Sequence, residues 1–211
     1  MILVGQYDSP FVRRVAVTLH HYSMAFTRNT MSVFGDAPEM RKINPLIRIP
    51  SLILDDGETL IDSVAIIDTL DEMAGPAHTL VPPRGPERRK VLQATALAQG
   101  TAEKAGQAVY ERFFHAGGAL NKDWEQRCLS QIAAGLDRLE SQCGEQWYFG
   151  NDFSHADVMT GCMIGYLNLR LPESFPAGAF PRLRALAARC EAWSEFVKSR
   201  ISPDETMPAK G

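Results

Sequence analysis

Tyr7-Asp8-Ser9-Pro10-Phe11-Val12-Arg13-Arg14 follows directly on an apolar opening, Met1-Ile2-Leu3-Val4. Met1–Val4 reads as a buried strand, Gly5–Asp8 as a loop and Pro10 onward as a helix. Ser9 therefore stands where a strand passes into a helix. Proline suits the first helical position because the N–H it lacks would have no intrahelical partner there. Serine is a favoured N-cap, with its side-chain oxygen turned to the first free N–H groups. That end of a helix carries partial positive charge and favours anions. Alone, the stretch describes an ordinary capped helix, and two later motifs give it meaning.

Reading outward, Val12, Val15, Ala16 and Leu19 form a helical stripe ending near His21 or Tyr22, and Phe26–Thr30 has strand character. Pro38–Ile43 is a short helix stopped by Asn44-Pro45, since a residue before proline is pushed out of helical geometry. Ser51–Leu54 and Thr59–Ile61 are strands joined by the turn Asp55-Asp56-Gly57-Glu58. Ser63–Met73 is helical, with Val64, Ile67 and Leu70 or Asp71 bounding its inner face. The order β-α-β-α-β-β-α predicts a thioredoxin-like domain with a four-stranded mixed sheet over residues 1–75.

Residues 76–86 read as a linker, because Gly75–Pro86 holds four prolines and two glycines. Residues 87–211 read as an all-α domain. Glu87–Phe114 is one long helix, Asp123–Gln142 a second with Leu129, Ile132, Ala133, Leu136 and Leu139 on one face, and Ser154–Leu169 a third. Phe180–Lys198 supplies one or two more, and the tail from Ser202 is expected to fray. Ser154-His155-Ala156-Asp157 has capping-box spacing, and Phe153 and Val158 have the spacing of a hydrophobic staple. The fold class is thus α+β, a small mixed sheet followed by a helical domain.

The 211 residues carry a net charge of −3 and 22% charged residues, which gives no electrostatic reason to bind nucleic acid or an anionic membrane. No apolar run approaches the roughly 18 residues of a membrane span, and no basic leader precedes an apolar core; a cytoplasmic protein is expected. Cys128, Cys143, Cys162 and Cys190 lack C-x-x-C spacing and read as buried thiols. The five histidines are scattered, and the adjacent His20 and His21 point apart on a helix, so no metal is expected.

The second motif is Asn44-Pro45-Leu46-Ile47-Arg48-Ile49-Pro50-Ser51-Leu52. Proline is tolerated at a strand entrance. If the Ile49–Pro50 bond is cis, the N–H and C=O of Ile49 turn away from the sheet and are free to pair with a peptide; if trans, the motif is a simple turn. The third is Glu58-Thr59-Leu60-Ile61-Asp62-Ser63-Val64-Ala65-Ile66, in which Asp62 or Ser63 caps a helix and offers a second anion site.

Together, in this order and spacing, the three motifs resemble the glutathione-binding domain of cytosolic glutathione transferases. The likeness is to serine-type bacterial members and the plant tau class, with Ser-Pro-Phe opening the first helix. It extends over the whole chain, from domain order to the capped helix. The resemblance implies glutathione as cosubstrate, with Ser9 donating a hydrogen bond to its sulfur as the catalytic residue and Phe11 beside it. It implies Ile49, ahead of Pro50, pairing with the cysteinyl backbone, Asp62 and Ser63 holding the γ-glutamyl end, and Arg48 meeting the glycine carboxylate. A free thiol near pKa 8.5 is mostly protonated at neutral pH, and a hydroxyl donor with a helix N-terminus favours the thiolate. The chain departs from the tau pattern at Gly35-Asp36-Ala37-Pro38, where a lysine-serine pair is expected. Arg13 is a second candidate for the glycine end, or a solvated surface residue.

The resemblance further implies an apolar electrophile held between the domains, with Tyr110, Phe113, Phe114 and Tyr166 as candidate contacts, though their spacing equally suits plain packing. It implies a homodimer, for which Ala94, Ala96, Ala98 and Ala102 offer a close-packed face. Two other functions stay open. One is a maleylacetoacetate-type isomerase, which usually has a serine pair where this chain has Asp8-Ser9. The other is a transferase-like binding module without activity.

Overall fold

The computed structural model describes residues 1–115, 117–118 and 120–205. In chain order the elements are β1 (Ile2–Val4), α1 (Pro10–His21), β2 (Thr27–Asn29), α2 (Ala37–Ile43), β3 (Ser51–Ile53), β4 (Thr59–Ile61) and α3 (Ser63–Ala74). There follow α4 (Gly85–Phe114), α5 (Lys122–Gln142), α6 (His155–Arg170), a 3-10 turn at Pro172–Ser174, α7 (Pro181–Ala192) and α8 (Ser194–Lys198).

The sheet runs β2-β1-β3-β4, with β1 parallel to β2 and antiparallel to β3, and β3 antiparallel to β4. This is the four-stranded mixed sheet of a thioredoxin-like domain, followed by a helical domain. Leu3 and Leu52 from the sheet pack with Val12, Val15, Ala16 and Leu19 of α1 and with Ile66 and Leu70 of α3. On α3 the inner face is Ser63, Ile66 and Leu70, while Val64 is 52% exposed and not at the face boundary expected from its spacing.

By compactness the chain divides into two units. One comprises Met1–Thr79 together with the segment from Ala192, the other Leu80–Glu191. Within the first unit, α8 and the residues after it lie on α1, which explains why α1 is buried almost all round. Arg13 is buried, its guanidinium 5.2 Å from the Phe196 ring centroid and its Nε donating to the Ser199 carbonyl at 2.9 Å. Neither sequence-based role for Arg13 holds: it anchors the C-terminal segment. Ile201 packs on the same core, and Glu205 is buried against Tyr7 and Arg28, so the tail is tied down at least to Glu205. Residues 206–211 of the tail expected to fray lie outside the described residues.

The α1–α8 junction carries a pH dependence. Burial holds His20 below the ordinary histidine range, Lys198 acts in the same direction and Glu195 opposes them. A histidine depressed in the folded state binds fewer protons folded than unfolded. Its contribution is therefore full above about pH 6.5 and is lost as pH falls through its folded value. Replacing His20 with Gln should flatten the fall in stability below that pH, measured by urea melts at pH 7.5 and 5.5.

In the second unit α4 packs on α5 and α6. The α5 face is Cys128, Ile132, Gly135, Leu136 and Leu139, whereas Ala133 is exposed. Thr101 lies against Gly135, where a Cβ would come within 2.2 Å of its Oγ1. Ala94, Ala98 and Ala102 are buried inside this unit, so of the four alanines read as a dimer face only Ala96 is exposed. Residues 155–164 of α6 are all buried, which suits a central helix. Its start has the capping box read from the sequence: Asp157 accepts from the Ser154 backbone N–H at 2.9 Å and from the Ser154 hydroxyl at 2.8 Å.

Candidate functional site

Strand register brings the three motifs to one end of the sheet. Val4 pairs with Ser51, and Ser51 pairs with Ile61. Gly5, Pro50 and Asp62 are the next residues along those antiparallel rows, so the loop to Ser9, the proline turn and the α3 cap emerge side by side. The Ile49–Pro50 peptide bond is cis. Among the described residues no hydrogen bond joins the backbone of Ile49 to another group.

Ser9 caps α1 from extended backbone (φ −73°, ψ 120°), with Pro10 at the first helical position. Its hydroxyl oxygen accepts from the Val12 N–H at 3.4 Å, a long bond that leaves the hydroxyl proton to donate elsewhere. Ser9 and Phe11 are half-buried. The other hydroxyl of this loop is withdrawn: Tyr7 is only 2% exposed, and the Arg28 guanidinium lies 3.4 Å over its ring centroid. Burial also pushes the Tyr7 phenol up, against the pull of Arg28. Ser9 is thus the accessible hydroxyl of the pair.

Gly5, which sequence reading passed over, is the hinge of this corner. Its φ of +128° suits glycine, and an added Cβ would lie 2.6 Å from Val12 Cγ2 and 2.9 Å from Ile49 Cβ. Gly5→Ala should cost about 2–4 kcal/mol from strain and overpacking, seen as a lower melting temperature.

At the α3 end Asp62, not Ser63, is the N-cap: its Oδ1 accepts from the Val64 N–H at 2.8 Å. Asp62 holds φ +69° with ψ 128°, a positive-φ conformation outside the left-handed helical well and unusual for any residue but glycine. Ser63 is buried, and its hydroxyl accepts from Arg14 Nη2 at 2.7 Å. Arg14 places a buried guanidinium behind this helix start and adds to its preference for anions. Sequence reading missed it. Two arginines inside an apolar stripe were the available signal.

Arg48 is exposed, and its carbonyl accepts from Asn44 Nδ2 at 2.9 Å. Ile47 beside it has φ +51°, unusual for a β-branched residue. At the start of α2 stands Asp36, whose carboxylate accepts from the Ser32 N–H at 2.8 Å.

Residues 3–78 match the family model of the glutathione S-transferase N-terminal domain, and residues 107–189 match that of the C-terminal domain. The chain belongs to the glutathione S-transferase family. A solved glutathione S-transferase from Methylobacillus flagellatus KT, with GSH bound, superposes with TM-score 0.86 at 29% identity, over 95% of this chain and 99% of its own. A probable maleylacetoacetate isomerase 1 of Drosophila melanogaster is 32% identical over 77% of this chain and 66% of its own length. Glutathione S-transferase U8 of Arabidopsis thaliana is 24% identical over 98% of this chain and 91% of its own.

In this transferase the aromatic candidates of the helical unit differ among themselves. Tyr110 and Phe114 on α4 are 45% and 59% exposed, with ring centroids 5.9 Å apart, and Phe113 meets Phe114 edge-on at 5.2 Å. Tyr166 on α6 is buried. All four cysteines of the transferase are buried. Burial pushes Cys128 and Cys190 up, and Cys143 up to about 11, so these three stay protonated at neutral pH. Among the described residues there is no cluster fit to hold a metal ion, and no helix is long and apolar enough to cross a membrane.

Proposed function

We propose that this enzyme binds glutathione across the sheet end formed by Ser9, Ile49–Pro50 and Asp62–Ser63, and that Ser9 stabilises its thiolate for attack on small apolar electrophiles. The observation that carries the reading is the register that sets these three motifs in one row, each ending on a free backbone group or a helix N-terminus. The cysteinyl backbone of the tripeptide pairs with Ile49 as an added strand. Its γ-glutamyl end meets Asp62 and Ser63, with Asp62 facing the amine and the α3 N-terminus the carboxylate. Arg48 is the exposed cation for the glycine carboxylate, and Phe11 flanks the thiol.

The Ser9 hydroxyl donates to the sulfur while the α1 N-terminus favours negative charge, so the thiol proton passes to water. The thiolate then forms a C–S bond to the electrophile, which releases a leaving group or takes up a proton. Tyr110, Phe113, Phe114 and Tyr166 are the candidate contacts for that electrophile. A homodimer and a cytoplasmic location belong to the same reading. Exposed Val64 and Met73 on α3 and Leu92 on α4 are apolar surface for a second copy to cover.

The test is retention on immobilised glutathione followed by turnover of a chloronitrobenzene, from which the thiolate displaces chloride. Binding with turnover is expected; no binding overturns the reading. The likeness to a probable maleylacetoacetate isomerase supports a second reading. Glutathione-dependent isomerisation of maleylacetone, with no chloronitrobenzene turnover, would favour it.

A further inference from the structure

Ser9 lies between two points that the C-terminal segment grips, and the chemistry proposed above uses neither. Upstream, Gln6–Ser9 is a turn closed by the Ser9 N–H donating to the Gln6 carbonyl at 3.2 Å, with Tyr7 and Asp8 at its centre. The Tyr7 N–H, pointing out of that turn, donates to Glu205 Oε2 at 2.7 Å across 198 residues of chain. Arg28 Nη2 donates to the same oxygen at 2.6 Å, and its guanidinium lies 3.4 Å over the Tyr7 ring. Tyr7 is therefore held by its backbone and by its ring, through two side chains that are paired with each other. Downstream, the Arg13 N–H donates to the Ser9 carbonyl at 2.9 Å, and Arg13 Nε donates to the Ser199 carbonyl, also at 2.9 Å.

Glu205 is 7% exposed. A carboxylate is withdrawn from water at a cost unless it is paired and hydrogen-bonded, and here one oxygen takes both a buried N–H and a guanidinium. Its own backbone N–H closes a short turn on the Ser202 carbonyl at 3.0 Å, which aims the side chain inward. Packing alone would be served by an apolar residue at this position. The carboxylate satisfies a turn N–H that would otherwise be orphaned, and it fixes the turn by doing so.

We infer that Glu205 is a positioning residue that fixes the Gln6–Ser9 turn and so holds the Ser9 hydroxyl at the distance thiolate stabilisation needs. The inference rests on the reading of Ser9 as the thiol-activating group. Stabilisation of a developing charge depends steeply on donor placement, so a turn loosened by a fraction of an ångström shows in the chemistry before it shows in binding.

The test compares wild type, Glu205→Gln and Glu205→Ala by amide hydrogen exchange of residues 6–9 and by titration of the bound glutathione thiol, followed through thiolate absorbance. Glu205→Ala is expected to speed exchange of the turn, to raise the pKa of the bound thiol, and to lower kcat at pH 6.5 roughly tenfold while glutathione Kd stays within about twofold. Glu205→Gln keeps an acceptor for the Tyr7 N–H while losing the ion pair to Arg28, and it should fall between. Unchanged exchange overturns the proposal. So does faster exchange with an unchanged thiol titration. A wild-type protein that binds no glutathione overturns the reading of Ser9 instead, and the exchange arm still reports whether Glu205 fixes the turn.

Discussion

Replacing Ser9 with Ala should lower kcat for glutathione conjugation near pH 6.5 by about 10²–10³-fold, the loss typical of one preorganised donor to a developing anion. The sign of the pH effect follows from the same bond. The hydroxyl donates to the sulfur, so it favours the thiolate and lowers the thiol pKa; without it, the pKa returns toward about 8.5. The rate deficit should therefore shrink as pH rises to 9, where a larger fraction of the thiol ionises unaided. Glutathione affinity should change little, because the backbone at Ile49 and the α3 start remain. The cap itself is a modest contributor, since the bond from the Val12 N–H is a long 3.4 Å, and the melting temperature should fall by only a few degrees. Steady-state rates from pH 6 to 9 check this. Equal activity of both proteins over pH 6–8 would remove Ser9 from the mechanism.

The largest stability effect is expected at Asp157→Ala, far from that chemistry. The carboxylate is fully buried and accepts from the Tyr148 N–H at 2.6 Å and from the backbone and hydroxyl of Ser154 at 2.9 and 2.8 Å. Burial pushes its carboxyl above the ordinary range, and the hydrogen bonds from Tyr148 and Ser154 act in the opposite direction. Alanine leaves two buried N–H groups without a partner at about 1–3 kcal/mol each, so the total is about 2–6 kcal/mol. The melting temperature should drop by roughly 10 °C, with Asp157→Asn in between because it keeps one acceptor oxygen. A loss under about 1 kcal/mol would mean that water replaces the carboxylate and that the box does not organise the centre of the helical unit.

What the sequence disclosed was local chemistry. Ser9-Pro10 marked a helix start, Asp55–Glu58 a hairpin turn and Ser154–Asp157 a capping box, because each is decided by residues within four positions. The α+β class followed from the order of such elements. What it concealed was long-range. Arg13 and Arg14 have the charge of surface residues, yet each is buried with a partner, at Ser199 and Ser63, that lies 186 or 49 residues away. Glu205 falls in a proline-containing tail that composition assigns to solvent, and only its pairing with Arg28 and the Tyr7 N–H explains its burial. Val64 and Ile66 are equally apolar, so the pattern alone could not decide which of them faces the sheet. The row of alanines on α4 suited a close interface equally well between two chains or within one, and the structure places three of the four inside the unit.

The pairing of Ser51 with Ile61 makes the hairpin between them a ruler. Its length alone decides that Asp62 finishes level with Pro50 rather than one step to either side. A single residue gained or lost in Asp55–Glu58 would slide β4 along β3, turn each of its side chains to the opposite face and carry the α3 cap out of line. The stretch from Thr30 to Asp36, which connects β2 to α2, sets no such alignment and can change length far more freely. Across natural variants of this chain, insertions should accumulate in the second connection and stay out of the first.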